Sequence, residues 1–297
     1  MYSIQDPIGN QPQSGGAIQI LGIKDEYICR SLPDTATFAA NPRELEAGHW
    51  QRNGEGYSFT PTHHFGRIYN PVTQKTCQWE YEVQPVYLWG DSHRVPKATA
   101  GLLSYLPIFD PGWQILTAHG WATGFIDWWG DKYEFAQVPF YAEKNWGYSF
   151  PEKWFWINCN CFPDISDLTL TAVGSTRKIL GITESVGLIG LHYQKRLYEF
   201  RFENSRLSWQ VSPWGYWKMK ARNDLYSIQI IGTTDRAPTP VRVPTQQGLC
   251  FRCLDTKYGH LSVELRNNEG SIILKTSSHL GGLEIGGEWR GEWQKSE

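Results

Sequence analysis

The 297 residues carry 28 Lys and Arg against 30 Asp and Glu, a formal net charge of -2. This balance excludes the electrostatic signature of nucleic-acid binding or of a polyanionic substrate, and the length allows two compact units or one large β domain. Aromatics make up 14% of the chain, with 15 Trp, an excess that needs a large core, an aromatic-lined pocket or an interfacial rim. The opening Met1-Tyr-Ser-Ile-Gln-Asp-Pro7 lacks a charged region followed by an apolar run, so no signal peptide is read. No stretch reaches the about 18 uninterrupted apolar residues of a spanning helix. The expected location is therefore cytoplasmic or peripheral to a membrane.

In chain order, Ala39–Thr62, rich in Gly, Asn and charge, reads as a long loop. Trp79, Tyr81 and Val83 then alternate with Gln78, Glu80 and Glu82, the period-two pattern of a strand with one buried face. The best helical candidate is a turn or two around Thr99–Phe109, ended by Asp110-Pro111-Gly112. Beyond the aromatic run Tyr141–Cys159 the alternation returns in Tyr198, Phe200 and Phe202, in Leu207, Trp209 and Val211, and in Trp217, Met219 and Ala221. It continues in Tyr226, Ile228 and Ile230, and in Leu261, Val263 and Leu265. Short polar breaks at Tyr193-Gln-Lys-Arg, Glu203-Asn-Ser, Arg222-Asn-Asp and Asn267-Asn-Glu-Gly270 read as hairpin turns, whereas Thr233–Gly248, with three Pro, reads as a second loop. The expectation is an all-β protein with very little helix: two lipocalin-like antiparallel β-barrel or sandwich domains with an apolar pocket. The boundary is placed between an N-terminal domain, residues 1–138, and a C-terminal domain, residues 139–297.

Six cysteines, Cys29, Cys77, Cys159, Cys161, Cys250 and Cys253, are too few for a disulfide scaffold in a chain of this length. Cys250-x-x-Cys253 lacks the second pair of a zinc ribbon and Cys159-x-Cys161 has the wrong spacing, so buried thiols are expected and no metal. Cofactor and hydrolase fingerprints are missing: no G-x-G-x-x-G, P-loop, H-E-x-x-H or G-x-S-x-G. Acid-base chemistry by side chains remains. Asp110, Asp127, Glu134, Glu143, Glu199, Asp255 and Glu284 are flanked by apolar or aromatic residues, where desolvation can hold a carboxyl protonated; the competing reading of each is a solvated strand face. Glu143 stands out, because Lys144, Asn145 and Trp146 follow it within Tyr141-Ala-Glu-Lys-Asn-Trp-Gly-Tyr-Ser-Phe-Pro-Glu-Lys-Trp-Phe-Trp-Ile-Asn-Cys159. Aromatic faces there can enclose an apolar substrate and stabilise positive charge. His63-His64, His119 and His192 read as satisfied polar residues.

Gly15-Gly-Ala-Ile-Gln-Ile-Leu-Gly22, Thr99-Ala-Gly-Leu-Leu-Ser-Tyr-Leu-Pro-Ile-Phe-Asp-Pro-Gly-Trp-Gln114 and Tyr141-Ala-Glu-Lys-Asn-Trp-Gly147 resemble the tocopherol cyclase family. So do Ser149-Phe-Pro-Glu-Lys-Trp-Phe-Trp156, Ala172–Gly190, Ser212-Pro-Trp-Gly-Tyr-Trp217, Pro244-Thr-Gln-Gln-Gly-Leu249, Asp255-Thr-Lys-Tyr-Gly259 and Leu283-Glu-Ile-Gly-Gly287. The form is closer to cyanobacterial members than to plastid ones. Family members carry a Phe-Glu-Gly-Trp-Tyr-type stretch ahead of the segment resembling Met1–Pro7, so the N-terminal domain is expected to lack its first strands, leaving an unpaired edge.

The resemblance implies an isomerase of vitamin E biosynthesis, an intramolecular lyase that needs no cofactor. It closes the chromanol ring of a phytylated benzoquinol, dimethylphytylbenzoquinol to γ-tocopherol or methylphytylbenzoquinol to δ-tocopherol. An acid protonates the prenyl alkene and the phenol oxygen captures the tertiary cation. A more distant similarity, to carotenoid hydratases, falls on Lys144-Asn145-Trp146-Gly147. On this footing Glu143 or Asp110 is the expected proton donor, and Lys144 and Asn145 orient the quinol oxygens. Tyr141, Trp146, Trp154, Trp156, Trp113, Trp214 and Tyr216 are the expected substrate-binding residues. The partner is a prenylated benzoquinol, with peripheral contact to a thylakoid-type membrane and none to nucleic acid. Two other classes compete: a non-catalytic lipocalin-like carrier of prenyl lipids, and a carbohydrate-active β protein using Trp platforms and paired carboxylates.

Overall fold

The structure, a computed structural model, describes residues 1–6, 9, 14–90, 97–99, 101, 111–147, 150–179 and 182–296. The chain forms two compact units, Met1–Val86 with Gly120–Phe140 and Tyr87–His119 with Tyr141–Glu297. Compared with a single boundary after residue 138, Tyr87–His119 groups with the second unit. Among the described residues the regular structure is antiparallel strand, apart from short 3-10 turns such as Ile23–Asp25 and Thr35–Thr37. No described helix is long and apolar enough to cross a membrane.

In the first unit β1 (Tyr2–Gln5), β2 (Gly15–Leu21) and β3 (Tyr27–Leu32) form a three-stranded sheet in chain order. A meander follows through β4 (Phe38–Ala40), β5 (Ala47–Trp50), β6 (Gly56–Phe59), β7 (His63–Asn70) and β8 (Lys75–Tyr87). It continues into the long strands β9 (Gly112–Trp128) and β10 (Asp131–Trp146), seven strands in all. Ile18, Leu32, Tyr57, Ile68, Cys77, Trp79 and Trp128 make the core, with Tyr2 stacked on Tyr57 at 4.1 Å between ring centroids. The expected loop Ala39–Thr62 is corrected here: it holds β5 and β6. Each has only four residues, too short for alternation to register against the polar residues between them.

The second unit is built on β11 (Lys153–Cys159), β12 (Thr169–Ile179), β13 (Ile182–Tyr193), β14 (Arg196–Arg201), β15 (Arg206–Val211) and β16 (Tyr216–Arg222). After these come β17 (Tyr226–Thr233), β18 (Thr239–Thr245), β19 (Gly248–Asn267), β20 (Ile272–Gly287) and β21 (Trp293–Lys295). They pair in the order β14-β13-β12-β11-β20-β19-β17-β16-β15-β21, with β18 added on β19. Among the described residues the order is open at both ends, a sheet rather than a closed barrel. Its core gathers Phe155, Ile157, Leu170, Ala172, Phe200, Trp209, Trp217, Met219, Ile230, Val263 and Leu283, the positions at which period-two alternation places the apolar set.

Two details depart from the sequence pattern. Thr233–Gly248 contains β18, whose Pro240 and Pro244 are tolerated because it pairs only with β19 and so needs fewer amide donors. Phe202 continues the alternation of Tyr198 and Phe200, yet β14 stops at Arg201 and Phe202 stands 41% exposed in the turn before β15. The β13–β14 turn does fit: Gln194 and Lys195 both have positive φ, 51° and 62°, as a two-residue hairpin of the twist-compatible kind requires. Most of the helical candidate around Thr99–Phe109 lies outside the described residues.

Candidate active site

Alternation along β11 sends Phe155, Ile157 and Cys159 into the core and turns Trp154, Trp156 and Asn158 to the other face. Cross-strand pairing extends that face into a row: Asp255 lies opposite Glu284, Glu284 opposite Trp156, Trp156 opposite Val173, Val173 opposite Leu188, and Leu188 opposite Arg201. Gly286 is the register partner of Trp154. A Cβ there would stand 1.9 Å from Trp154 Cζ2, so the indole lies over a strand position that only glycine leaves empty. In that pose Trp154 Nε1–H donates to Glu284 Oε1.

A second carboxyl comes from β10. Tyr141 and Glu143 share one side of the strand, two residues apart. Glu143 Oε2 accepts from the Tyr141 hydroxyl at 2.5 Å and from Trp113 Nε1–H, on β9, at 2.8 Å. The Tyr141 ring packs tilted against Trp156, 6.0 Å between centroids. Trp156 Nε1–H is buried and faces the Tyr141 hydroxyl without completing a hydrogen bond. The two carboxyls are thus joined by Tyr141 and Trp156, and both sit against indole edges.

Desolvation raises the Glu143 pKa above the ordinary carboxyl value, although the Tyr141, Trp113 and Asn145 donors pull the other way. Glu284 is pushed up to about 8, first by desolvation and then by the negative charge of Asp255, with Glu143 adding to it. Trp154 and Cys253 oppose that rise. The same surroundings push the Cys253 thiol and the Tyr141 phenol well up, chiefly through burial. Carboxyls that repel each other in a dry setting cannot all ionise together, so the cluster retains a proton near neutral pH. A protonated carboxyl against aromatic faces is a general acid.

Of the expected residues, Glu143, Tyr141, Trp113, Trp154 and Trp156 come together here. Asn145 is exposed on the Glu143 side of β10. Lys144 and Trp146 point to the opposite side, where the exposed ammonium lies 5.4 Å from the Trp146 ring and Gly112 leaves room for the indole. Tyr216 opens β16 and Trp214 lies in the turn before it; Trp214 donates to the Arg236 carbonyl at 2.8 Å and meets Trp217 edge-to-face. Asp110 lies outside the described residues. Three other carboxylates are on solvated or turn positions: Asp127 accepts from Gly130 N at 2.7 Å, Glu134 pairs with Lys132 at 2.6 Å, and Glu199 pairs with Arg201 at 3.6 Å. Glu284, Asp255 and Cys253 were absent from the site expected from sequence. Asp255 and Glu284 had each met the apolar-flank criterion, and the Gly-Gly pair after Glu284 was a further signal, but only the β19–β20 register sets them opposite one another.

The sequence profile of the family described as Tocopherol cyclase-like matches residues 1–287. The chain belongs to the tocopherol cyclase-like family. A chloroplastic probable tocopherol cyclase of Oryza sativa subsp. japonica is 38% identical over 343 residues, spanning 99% of this chain and 73% of the relative. The chloroplastic tocopherol cyclase of Zea mays is 38% identical over 99% of this chain and 72% of its own length. Among solved structures, kievitone hydratase from Nectria haematococca aligns at a TM-score of 0.42 with 9% identity, covering 92% of this chain and 83% of that one. Glu143, Asp255 and Glu284 lie in three of the segments that resemble the family, Tyr141–Gly147, Asp255–Gly259 and Leu283–Gly287.

Proposed function

We propose that this member of the cyclase family is an enzyme that closes the chromanol ring of a prenylated benzoquinol, such as dimethylphytylbenzoquinol to γ-tocopherol, with Glu143 as proton donor and Glu284 as its partner. The single observation that carries the assignment is the pair of carboxyls with raised pKa, each held by an indole N–H inside one aromatic cluster. The Tyr141 and Trp113 donors both land on Oε2 of Glu143, and this buried carboxyl gives up its proton in the first step. That proton passes to the less substituted carbon of the prenyl alkene, and the electron deficiency moves to the tertiary carbon beside it. The phenol oxygen then forms the new C–O bond, and its proton returns to the carboxylate pair. Atoms and charge balance without a redox step, as an isomerisation requires.

A tertiary cation in water is trapped unselectively, so the reaction needs a folded substrate and dry walls. Trp113, Trp154 and Trp156 supply π faces for the positive charge. The substrate partitions into lipid, and peripheral approach to a thylakoid-type membrane is part of the same proposal. Incubation with a phytylated benzoquinol followed by chromatography tests the reading: chromanol is expected, and substrate returned unchanged would favour a carrier. Glu143→Gln keeps the shape and removes the acid; turnover is expected to fall by roughly 10²-fold or more with binding intact. Near-wild-type turnover in that variant would move the donor to Glu284.

A further inference from the structure

On the face that carries Glu284 and Trp156, the row continues through Val173 on β12 to Leu188 on β13 and Arg201 on β14. At about 4.8 Å per strand, Leu188 lies about 14 Å from Glu284. A partly open cleft occupies that end of the face. It is lined by Trp113, Val173, Val186, Leu188 and Phe202, with Arg201 among its polar lining residues. Trp113 belongs to both places: its ring lines the cleft while its Nε1–H holds Glu143.

The lining is divided by chemistry. Val186 and Leu188 are buried, and Phe202 is the exposed aromatic at the β14–β15 turn. Thr99 contributes a hydroxyl already committed to the Trp113 carbonyl at 2.9 Å. Arg201 Nε lies 3.6 Å from both Glu199 and Glu203 and is buried without a hydrogen-bond partner among the described residues. What the cleft offers a ligand is therefore a hydrocarbon wall of Trp113, Val173, Val186, Leu188 and Phe202 with Ser175, Arg177, Arg201 and Glu203 beside it, whereas the opposite end of the row offers Glu284, Asp255 and Cys253.

We infer that this cleft is the tail subsite for an isoprenoid chain: the quinol ring lies at the Glu284–Asp255 end, the reacting alkene beside Trp113 and Trp156, and the remote isoprene units along Val173, Leu188 and Val186 toward Phe202. The inference rests on the cyclase reading and extends it to the residues that select tail length. A quinol headgroup in the cleft could be met by Ser175, Arg177, Arg201 or Glu203, but beside Leu188 it would lie about 14 Å from Glu284. A tail placed there buries apolar surface instead. It also explains why an aromatic of the Tyr198–Phe200–Phe202 alternation ends outside the core: Phe202 caps the cleft rather than the sheet interior.

The test compares two quinols with the same ring, one with a phytyl tail and one with a five-carbon dimethylallyl group, which has the reacting alkene and nothing to fill the cleft. Leu188→Trp is expected to lower kcat/KM for the phytyl substrate by at least about tenfold and leave the dimethylallyl substrate within about twofold. Phe202→Ser, at an exposed turn where folding is not at stake, is expected to act in the same direction by several-fold. It supplies the answer if Leu188→Trp does not fold. Parallel loss on both substrates, or no loss on either, overturns the tail subsite while leaving the cyclase reading intact. A wild-type protein that converts neither quinol overturns the cyclase reading itself.

Discussion

Gly286 is the position at which one methyl group should separate stability from chemistry. Its backbone is ordinary extended strand, so alanine brings no φ penalty, and the whole effect is steric. The added Cβ would stand 1.9 Å from Trp154 Cζ2 and 2.2 Å from Cε2, well inside van der Waals contact. The indole must swing away, and it is walled by Phe150 at 5.4 Å between centroids. Overpacking of this kind costs about 1–3 kcal/mol. The displaced indole also withdraws its N–H from Glu284. A hydrogen bond to an uncharged carboxyl contributes about 0.5–1.5 kcal/mol, equivalent to about 2- to 13-fold in rate if it is felt in the transition state. Gly282→Ala is the internal control, because a Cβ there would meet Trp156 Cζ3 at 3.1 Å, a contact relieved by a few tenths of an ångström. Denaturant unfolding and steady-state cyclisation should both rank Gly286→Ala far below Gly282→Ala. A Gly286→Ala protein with wild-type kcat would refute the role given to the Trp154–Glu284 contact.

Glu284 links stability to pH with a definite sign. Its folded pKa is raised above the ordinary value of 4.5, so the folded state binds the proton more tightly than the unfolded chain. The stability this contributes is fully present below about 4.5 and is lost as pH rises through the folded pKa. Unfolding free energies measured from pH 4 to 9 should therefore fall more steeply for the wild type than for Glu284→Gln; parallel curves would show that the carboxyl is not desolvated. Because the donor must be protonated, the kcat profile should be flat at acid pH and decline on the alkaline side. Trp113→Phe removes an N–H that favours the ionised Glu143, so that alkaline limb should move to higher pH. A shift to lower pH would contradict the geometry at Oε2. Val241 lies opposite Cys253 on the edge strand β18; with Cys253 buried beside Glu284, thiol reagents should leave it unmodified in the folded protein and label it in denaturant, as mass spectrometry of labelled peptides would show.

Strand residues with one buried face were readable because their signal is local. Leu207, Trp209 and Val211, or Leu261, Val263 and Leu265, announce their side of the sheet within five residues. Short strands such as β5 and β6 were not readable, since four residues hold only two positions per face. The Pro-bearing β18 was missed for a different reason: its composition argues against a strand unless an edge position is already known. For the site the division is similar. Glu143 with Tyr141 and Trp156 is one contiguous segment, and its mixture of acid and aromatics was legible. Glu284 and Asp255 are separated by 28 intervening residues and a hairpin, and their juxtaposition depends on a register that bulges after Thr256 shift along β19. Lys144 shows the opposite failure. Adjacency in sequence suggested shared work with Glu143, but in a strand adjacent residues face opposite ways.

The donors that hold the two carboxyls are suited to carbocation chemistry in a way that other side chains are not. An indole N–H donates and has no lone pair in the ring plane with which to accept a proton or attack a cation. A serine, histidine or water in the same place would orient the carboxyl equally well, yet it would offer a nucleophile to compete with the phenol oxygen. Trp113 and Trp154 therefore fix Glu143 and Glu284 while presenting only π faces to positive charge. The Tyr141 hydroxyl commits its proton to Glu143 at 2.5 Å, and Thr171 and Trp156 lie against its oxygen. Under the proposed cyclisation, the tryptophan excess visible in the composition has a consequence beyond core packing: each buried carboxyl receives an orienting donor that is not itself a nucleophile.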